Sequence, residues 1–398
     1  MKQYNSSKTP AVVLGLGING LALVRSLARN DISVFGIYTG SEEIGRFSRY
    51  ISCFRFPGVM SAEGTFLERL INQFGNQADR PVLLCQSDEY VMFTSRHRDL
   101  LQQYFRFLLP DEGLLETLVR KDLSPAYVMS KGLTVPETFS LDNSPSIEQL
   151  AKDLTFPCIV KPVDSFSLTF TKKVIVLNNK ASFEKFIGEH SDLLNKIIIQ
   201  RIITGDDSNV YQTTTYVSKN GTLYPIFVMR KIRQYPPGFG VTAFGMTADV
   251  PELRRMTEDF LNASHYRGLI SMEFKQSHDD KWYYIEMNPR LPYYHKLMLD
   301  TGLNFPYAYY LDMLNSEPDT TAVHSVKTNL HWIYFRSDLR GFVKLRIERR
   351  IGVVEWCMSL LKARSFAVFD ARDILPFIVS PIVSALRVLK KIILAKQA

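Results

Sequence analysis

Two carboxylates, an amide and an arginine stand close together in the sequence and could hold a metal ion beside an anion. Glu273 lies in one apolar run, and Glu286, Asn288 and Arg290 occupy alternate positions in and just after the next. The polar stretch between the runs predicts an antiparallel hairpin, and alternation along a strand puts Glu286 and Asn288 on one face. Carboxylate and amide oxygens suit Mg²⁺, and a guanidinium suits phosphate or carboxylate. We predict a metal site here. The sequence does not fix the hairpin register, and an ordinary hairpin with exposed acids is the alternative.

The hairpin must be carried by a globular chain of more than one domain. With 398 residues, the chain is too long for one simple core, and two or three domains are expected. Hydrophobic residues make up 46% and charged residues 22%, which excludes a disordered chain. The cysteines show no paired spacing, which argues against a disulfide scaffold or a zinc site and favours a reducing compartment. They are Cys53, Cys85, Cys158 and Cys357.

The positive charge is concentrated in the C-terminal part of the chain. The net charge is +8, and Lys and Arg are frequent after Arg336. A basic surplus suits a nucleotide, an anionic membrane or nucleic acid, but no nucleic-acid-binding motif occurs, so nucleic acid is not an expected partner. The apolar tail from Ile374 has late cations, and it could contact a membrane or pack on its own domain. Pro376 and Pro381 are expected to break any single helix there.

Neither end of the chain predicts a membrane span. The N-terminal apolar run becomes glycine-rich at once, which predicts a strand and a turn rather than a signal peptide. No apolar run reaches about 18 residues, so no spanning helix is predicted. We expect a cytoplasmic protein, with peripheral contact at the inner face of the membrane as an alternative for its tail.

The N-terminal segment predicts a βαβ unit. Residues 11–28 read as a buried strand, a glycine turn and a helix, and a second strand follows at residues 31–38. Glycines at positions 15, 17 and 20 form a GxGxxG motif, which is typical of a dinucleotide pyrophosphate site at a helix start. That function also requires an acid at the end of the second strand, and none occurs before Glu42. An NAD-dependent oxidoreductase is therefore a minor alternative.

Three residues near the ends of the predicted parallel strands are candidates for substrate contact. Gly17 and Asn19 lie in the glycine turn, and Asp88 follows the buried strand at residues 82–85. Ligands bind just beyond the carboxyl ends of strands in open α/β sheets. A helix N-cap would explain Asp88 equally well.

Further cations lie on strands in the middle of the chain. Lys161 ends an apolar β-branched strand, where a lysine requires an anionic partner unless the strand is at an edge and the side chain reaches solvent. Lys231 and Arg233 alternate with apolar residues and are expected to share one face beside a proline- and glycine-rich loop. This arrangement suits a polyphosphate under a mobile loop, and Arg233 is a further candidate for substrate contact.

Taken in order, Lys161, the segment 200–207, Lys231 and the block from Glu273 to Arg290 resemble the ATP-grasp superfamily. The stretches at residues 230–237 and 286–290 resemble the branch that contains D-aspartate ligase and carbamoyl-phosphate-synthase-like proteins. The resemblance implies α/β and α+β architecture, with a Rossmann-like pre-ATP-grasp domain, a two-subdomain ATP-grasp fold and a C-terminal helical extension. The expected boundaries are 1–120, 121–205, 206–335 and 336–398.

The resemblance also implies an activity. Enzymes of this superfamily use ATP and Mg²⁺ to activate a carboxylate as an acyl phosphate, which an amine then displaces, with release of ADP and phosphate. The expected substrates are a small-molecule carboxylate and an amine, for instance an amino acid and a cell-envelope or polysaccharide precursor. Mn²⁺ is an alternative to Mg²⁺, and a homo-oligomer is left open.

The same resemblance implies a role for each site residue. Lys121 and Lys161 are expected to bind the ATP phosphates, and Asp207 is expected to bind the ribose. Adenine is expected to contact the backbone of Gln200, Arg201, Ile202 and Ile203. The metal ligands are Glu273, Glu286 and Asn288, and the catalytic cations are Lys231 at the γ-phosphate or acyl phosphate and Arg290 at the acyl phosphate.

Two departures from the family pattern accompany these assignments. The turn at residues 164–170 lacks the glycines that many relatives place over the phosphates, and Gln200 stands where a glutamate is common. A non-catalytic or regulatory ATP-binding protein is therefore the main alternative. The complete metal-ligand set favours an active enzyme.

Overall fold

Three β-sheets organise the chain in a computed structural model, which describes residues 8–141, 147–164, 174–316 and 328–397. The glycine-poor turn of the sequence analysis lies mostly outside these residues. Short 3-10 helices also occur, at Ile44–Phe47, Ser191–Lys196 and Asp207–Asn209.

The first sheet is parallel and has the strand order β3-β2-β1-β4. Its central strand β1 is entirely apolar and fully buried, as expected for a parallel strand with helices on both faces. The predicted βαβ unit is thus confirmed. The elements of this part are β1 (Ala11–Leu14), α1 (Ile18–Ala28), β2 (Val34–Tyr38), β3 (Ile51–Arg55), α2 (Glu63–Phe74), β4 (Val82–Cys85), α3 (Asp88–Arg96), α4 (Arg98–Tyr104), α5 (Glu112–Val119) and α6 (Ser124–Ser130).

The second sheet is antiparallel, with the strand order β5-β8-β6-β7. Two helices cover it, and Phe183 and Phe186 pack against Ile197 and Ile199 in its small core. The predicted strand that carries Lys161 is therefore a central strand, and not the edge strand of the alternative. The elements are β5 (Thr138–Ser140), α7 (Ile147–Asp153), β6 (Cys158–Pro162), β7 (Ile175–Leu177), α8 (Lys180–Glu189) and β8 (Ile197–Arg201).

The third sheet has seven strands in the order β13-β12-β9-β10-β11-β14-β15. All neighbours are antiparallel except β14 and β15. The elements are β9 (Val210–Val217), β10 (Phe227–Tyr235), β11 (Val241–Thr247), α9 (Pro251–Ala263), β12 (Gly268–Gln276), β13 (Trp282–Asn288), α10 (His295–Asp300), α11 (Phe305–Met313), β14 (His331–Ile333), α12 (Phe335–Ile347), α13 (Val353–Leu360), β15 (Ala363–Phe366) and α14 (Leu375–Gln397).

Apolar cores join the first and third sheets. One core combines Leu27 of α1 with Tyr309 of α11 and Trp332 of β14. A second core places Leu118 of α5 and Val128 of α6 among side chains of β12 and β13. The carboxyl end of the parallel sheet is therefore held next to the hairpin that carries the predicted metal ligands.

The fold confirms the mixed α/β architecture, while the exact domain boundaries stay predictions. The expected boundary between residues 335 and 336 falls between β14 and β15, which are paired in one sheet. Among the described residues, no helix combines the length and the apolar character needed to cross a bilayer.

The expectation that prolines break the C-terminal helix is wrong. The helix α14 runs from Leu375 to Gln397 with Pro381 inside it. Pro376 lies in the first turn, where an N–H has no acceptor within the helix, and Pro381 removes the N–H that would bond to the carbonyl of residue 377. Helical structure continues because the exposed first turns can leave that carbonyl to water.

Candidate active site

The hairpin β12–β13 brings the two predicted acidic ligands directly opposite each other. Glu273 pairs with Glu286 in the antiparallel register, and Ser271 pairs with Asn288. Paired residues share a face of the sheet, so Glu273, Glu286 and Asn288 point the same way. The register that the sequence left open therefore gathers the three predicted ligands.

Lys231 and Gln212 both contact the carboxylate of Glu273. The Lys231 Nζ lies 2.8 Å from Glu273 Oε2, and Gln212 Nε2 donates to the same oxygen at 2.7 Å. Lys231 is only 2% exposed, so this carboxylate is the anionic partner that a buried lysine requires. The other amide atom, Gln212 Oε1, is buried and has no hydrogen-bond partner among the described residues.

The donor set fits Mg²⁺ on its chemistry. Two opposed carboxylates, the amide of Asn288 and the unpartnered Gln212 Oε1 offer only oxygen atoms. No cluster of three His, Cys, Asp or Glu side chains that could hold a metal occurs in the described parts of the chain. The oxygen donors named above are typical of a Mg²⁺ site, because Mg²⁺ takes one or two protein carboxylates and completes its shell with water and substrate phosphates.

Arg290 is held in place by Asp88 from the first sheet. The Arg290 Nε lies 2.8 Å from Asp88 Oδ1, and Nη2 donates to Asp88 Oδ2 and Asn288 Oδ1 at 3.0 Å each. Asp88 is the first residue of α3, with Ser87 in the N-cap position, so the N-cap explanation for Asp88 is wrong. The Asp88 carboxylate thus contacts Arg290, and the substrate contact assigned to Asp88 stays a prediction.

Two predicted phosphate-binding lysines lie on a cleft between the sheets. The Lys161 Nζ is buried in β6 and donates to Gln200 Oε1 at 2.8 Å, and Gln200 Nε2 donates to Thr138 Oγ1 at 2.9 Å. The Lys121 backbone N–H donates to the Val163 carbonyl at 2.8 Å. Both lysines line the same cleft. Its polar lining includes Asp88, Lys121, Ser124, Lys161, Gln200, Tyr284 and Glu286.

The predicted nucleotide segment follows directly from this cleft. The strand β8 ends at Arg201, which is exposed, and Ile202 and Ile203 form the start of the next loop. Further along, Asp207 Oδ1 accepts from Gln234 Nε2 at 2.8 Å and from the Gly238 N–H at 2.9 Å. The acid assigned to the ribose therefore also holds the loop at residues 236–240.

The prediction that Lys231 and Arg233 share a face is wrong. Register shifts between Lys231 and Gln234 mark a bulge in β10, which reverses the alternation. As a result Gln234 Oε1 lies 3.3 Å from Lys231 Nζ. Arg233 points to α12 and forms a buried bidentate pair with Asp338, at 2.7 Å and 3.0 Å. Arg233 is therefore withdrawn as a substrate contact.

Gln212 and Gln234 are the site residues that the sequence analysis missed. Both amides are buried and both touch predicted site residues. A glutamine inside an otherwise apolar or threonine-rich strand is a usable signal, since a buried amide requires partners.

The glycine turn contacts the chain itself. Gln86 Oε1 accepts from the Gly17 N–H at 2.8 Å and from the Gly20 N–H at 3.2 Å. Asn19 Nδ2 donates to the Gln86 carbonyl at 3.1 Å and to the Leu291 carbonyl at 3.2 Å. A dinucleotide pyrophosphate would need these same amides, so the geometry argues against NAD. Gly17 and Asn19 position the segment after Arg290, and their contact with substrate stays a prediction.

His295 lies in the core beside the segment that follows Arg290. It is 1% exposed, and its Nδ1 lies 3.1 Å from the Pro292 carbonyl oxygen. Burial lowers the pKa of His295 from 6.5 to about 4. The folded ring therefore stays neutral at pH values where the unfolded ring takes up a proton.

This shift predicts a pH-dependent stability. The contribution of neutral His295 is complete above about pH 6.5 and is lost as the pH falls towards about 4. We expect the urea midpoint of the unmodified chain to fall more steeply over this range than that of His295→Gln. His331, whose pKa burial also lowers, remains in both proteins and serves as the common background. Parallel slopes would contradict the assignment.

Comparisons with known proteins agree with this geometry. No protein-family model matches the chain. A D-aspartate ligase from Enterococcus faecium is 22% identical over 309 residues, which are 73% of each chain. The structure of an L-amino acid ligase from Bacillus licheniformis matches with a TM-score of 0.63 at 14% identity, over 82% of this chain and 79% of that one.

A third match contains nucleotide and metal. The biotin carboxylase domain dimer of the Hydrogenobacter thermophilus 2-oxoglutarate carboxylase, in complex with MgADP, ADP and bicarbonate, matches with a TM-score of 0.64 at 14% identity. The match covers 81% of this chain and 74% of that one. At these identities the solved structures show a shared fold. The matches to these ligases and carboxylases confirm the resemblance to the ATP-grasp ligases that the sequence indicated.

Proposed function

We propose that the chain is an ATP- and Mg²⁺-dependent ligase that activates a carboxylate as an acyl phosphate and joins it to an amine. ADP and phosphate are the other products. The observation that carries this proposal is the opposed pair Glu273 and Glu286, with Lys231 beside one acid and Arg290 next to Asn288. The names of the D-aspartate and L-amino acid ligases support an amino acid as one substrate.

The charges of the site suit phosphoryl transfer. A carboxylate that attacks ATP brings two anions together, so cations must offset the charge of the transferring group. Mg²⁺, held by Glu273, Glu286 and Asn288, supplies part of this charge when bound. Lys231 and Arg290 supply the rest, and the ion pair with Asp88 orients the Arg290 guanidinium before substrate arrives.

The ATP site lies along the cleft between the second and third sheets. Lys121 and Lys161 bind the phosphates, and the backbone of Gln200, Arg201, Ile202 and Ile203 contacts adenine. Asp207 binds the ribose. Because Asp207 also holds Gly238, nucleotide binding at this acid is coupled to the loop at residues 236–240, which then covers the site and excludes water.

Lys161→Met is expected to weaken ATP binding by about tenfold to a hundredfold, the effect of one charge-assisted contact. Met retains most of the apolar stem, and Gln200 keeps its bond to Thr138, so the fold should persist. Titration calorimetry with an ATP analogue measures the change. Lys152→Met, which removes an exposed lysine of α7, should leave the affinity unaltered. Equal affinities for the two variants would contradict the assigned role of Lys161.

The proposed function can be tested without knowledge of the amine. Hydroxylamine replaces the amine and traps an acyl phosphate as a hydroxamate, so only the carboxylate must be found. We expect one class of amino acid or related carboxylate to give ADP and hydroxamate in equal amounts with MgATP, and Glu286→Gln to form both at a rate about a hundredfold or more lower. Tight ATP binding with no ADP release from any carboxylate would favour a non-catalytic ATP-binding protein instead.

A further inference from the structure

The entire net charge of the protein comes from its C-terminal segment. Residues 336–398 contain 13 Lys and Arg and 5 Asp and Glu, a surplus of eight cations that equals the net charge of +8 of the whole chain. Three of those five acids, Asp338, Asp370 and Asp373, are buried in ion pairs with the preceding part of the chain. In the described part of this segment, the exposed charged side chains are eight cations and two acids.

Residues 335–386 carry most of the large apolar side chains that are exposed at the described surface. Of the 23 that are exposed in the described part of the chain, 15 lie between Phe335 and Leu386. On α12 they recur every fourth residue, at Phe335, Leu339, Val343 and Ile347, and exposed cations stand beside them. This pattern repeats on neighbouring helices, at Val354, Met358 and Leu361 around α13 and at Phe377, Ile378 and Ile382 on α14.

A ring contact and a groove link α12 to the other two helices. Trp356 of α13 stacks on Phe342 of α12 with ring centroids 4.3 Å apart. A groove of about 1060 Å³ including its open mouth separates α12 from α14, and its walls include Phe335, Leu339 and Phe377. We call the exposed apolar side chains of α12, α13 and the first half of α14, with the cations between them, the C-terminal face. Its exposed cations are Arg340, Lys344, Arg346, Arg349, Arg350, Lys362, Arg364 and Arg372.

The C-terminal face is fixed to the rest of the protein by buried contacts. Arg25 of α1 pairs with Asp373 at 2.9 Å, and Arg233 of β10 pairs with Asp338 at 2.7 Å. These ion pairs attach α12 and the segment just before α14 to the rest of the protein. The exposed apolar side chains of these helices are therefore not needed to hold the helices in place.

We propose that the C-terminal face binds the surface of an anionic lipid bilayer. Apolar side chains that enter the headgroup region and cations that contact anionic lipid are the two features of interfacial binding, and both occur on the same helices. A second copy of the chain would oppose two strongly positive surfaces. Nucleic acid would leave the apolar side chains exposed to water, and an acidic protein partner does not require their spread over three helices.

Co-sedimentation of the full chain with vesicles tests this proposal. We expect binding to mixed phosphatidylcholine and phosphatidylserine vesicles, weaker binding to phosphatidylcholine alone, and release as salt is raised. The double variant Lys344→Glu, Arg349→Glu should bind the mixed vesicles at least about tenfold more weakly, since each lost cation contributes about 1 kcal/mol. The double variant Ile347→Asp, Leu361→Asp should bind at least about tenfold more weakly as well.

Matched variants elsewhere on the surface serve as controls. Met60→Asp with Met129→Asp replaces side chains that are 56% and 61% exposed outside the face, and Lys152→Glu with Arg255→Glu reverses two exposed cations. Both controls should bind vesicles like the unmodified chain. Three results would overturn the proposal. They are no binding to mixed vesicles, an equal loss of vesicle binding in the control and face variants, and a dimer of the unmodified chain that dissociates only in the face variants.

Discussion

Replacing Glu286 by glutamine is expected to lower the rate of ADP release by about a hundredfold to a thousandfold, in line with the loss of one preorganised group that stabilises transferring charge. Gln has nearly the same shape, so the hairpin should keep the register that pairs residue 286 with Glu273. The variant loses a negative charge that holds Mg²⁺, and a neutral amide is a weaker ligand. The rate should be measured as ADP release at increasing Mg²⁺ concentrations.

The Mg²⁺ titration shows whether the lower rate of ADP release comes from weaker metal binding or from another effect of the substitution. If Glu286 binds the metal, the variant should require more Mg²⁺ for half-maximal rate than the unmodified chain does. Glu355→Gln changes an exposed acid of α13 and should alter neither quantity. A Glu286→Gln variant with unaltered rate and unaltered Mg²⁺ requirement would remove Glu286 from the ligand set.

Glu273→Gln should differ from Glu286→Gln in stability. It removes the carboxylate that lies 2.8 Å from Lys231, which is 2% exposed. Among the described residues, Lys231 keeps its contact with Gln234 but loses its anionic partner, and an uncompensated buried charge is costly. A lower thermal midpoint for Glu273→Gln than for Glu286→Gln would therefore follow, although both lose activity.

The hairpin was predictable because its information is local. Two apolar runs, the polar loop between them and the alternation of Glu286 and Asn288 follow from neighbouring residues. The opposition of Glu273 and Glu286 was not predictable, since register depends on how the turn closes and on the bulge after Glu273. The ordered lysines of the ATP-grasp pattern gave the remaining site residues, and the cleft now places Lys121, Lys161 and Glu286 on one lining.

The interactions that sequence could not predict are long-range. Arg233 looked like a phosphate ligand because strand alternation was assumed, whereas the bulge in β10 turns it towards Asp338, 105 positions away. Gln86, which follows β4, accepts from the amides of the glycine turn. The GxGxxG motif alone therefore did not predict what its amides contact. Both cases involve a buried polar group whose partner lies far along the chain.

Replacing Asp373 by alanine is expected to lower the free energy of unfolding by about 3 to 5 kcal/mol, the usual cost of removing one partner of a buried ion pair. The Asp373 carboxylate accepts from Arg25 Nε at 2.9 Å, from Ser48 Oγ at 2.7 Å and from the Arg49 N–H at 2.9 Å. Arg25 is 1% exposed, so alanine would leave its guanidinium without a carboxylate inside the protein. Urea unfolding measures the change.

The control is Glu348→Ala, which removes an exposed ion pair with Arg350 and should alter stability by less than about 1 kcal/mol. A similar small effect for Asp373→Ala would show that solvent reaches Arg25 and that the pair does not hold the structure together. If the large effect is found, a single unfolding transition should accompany it. Arg25 lies in the last turn of α1, which packs with the first sheet, and Asp373 precedes α14. The pair therefore joins the first sheet to the C-terminal face, and the two should unfold together.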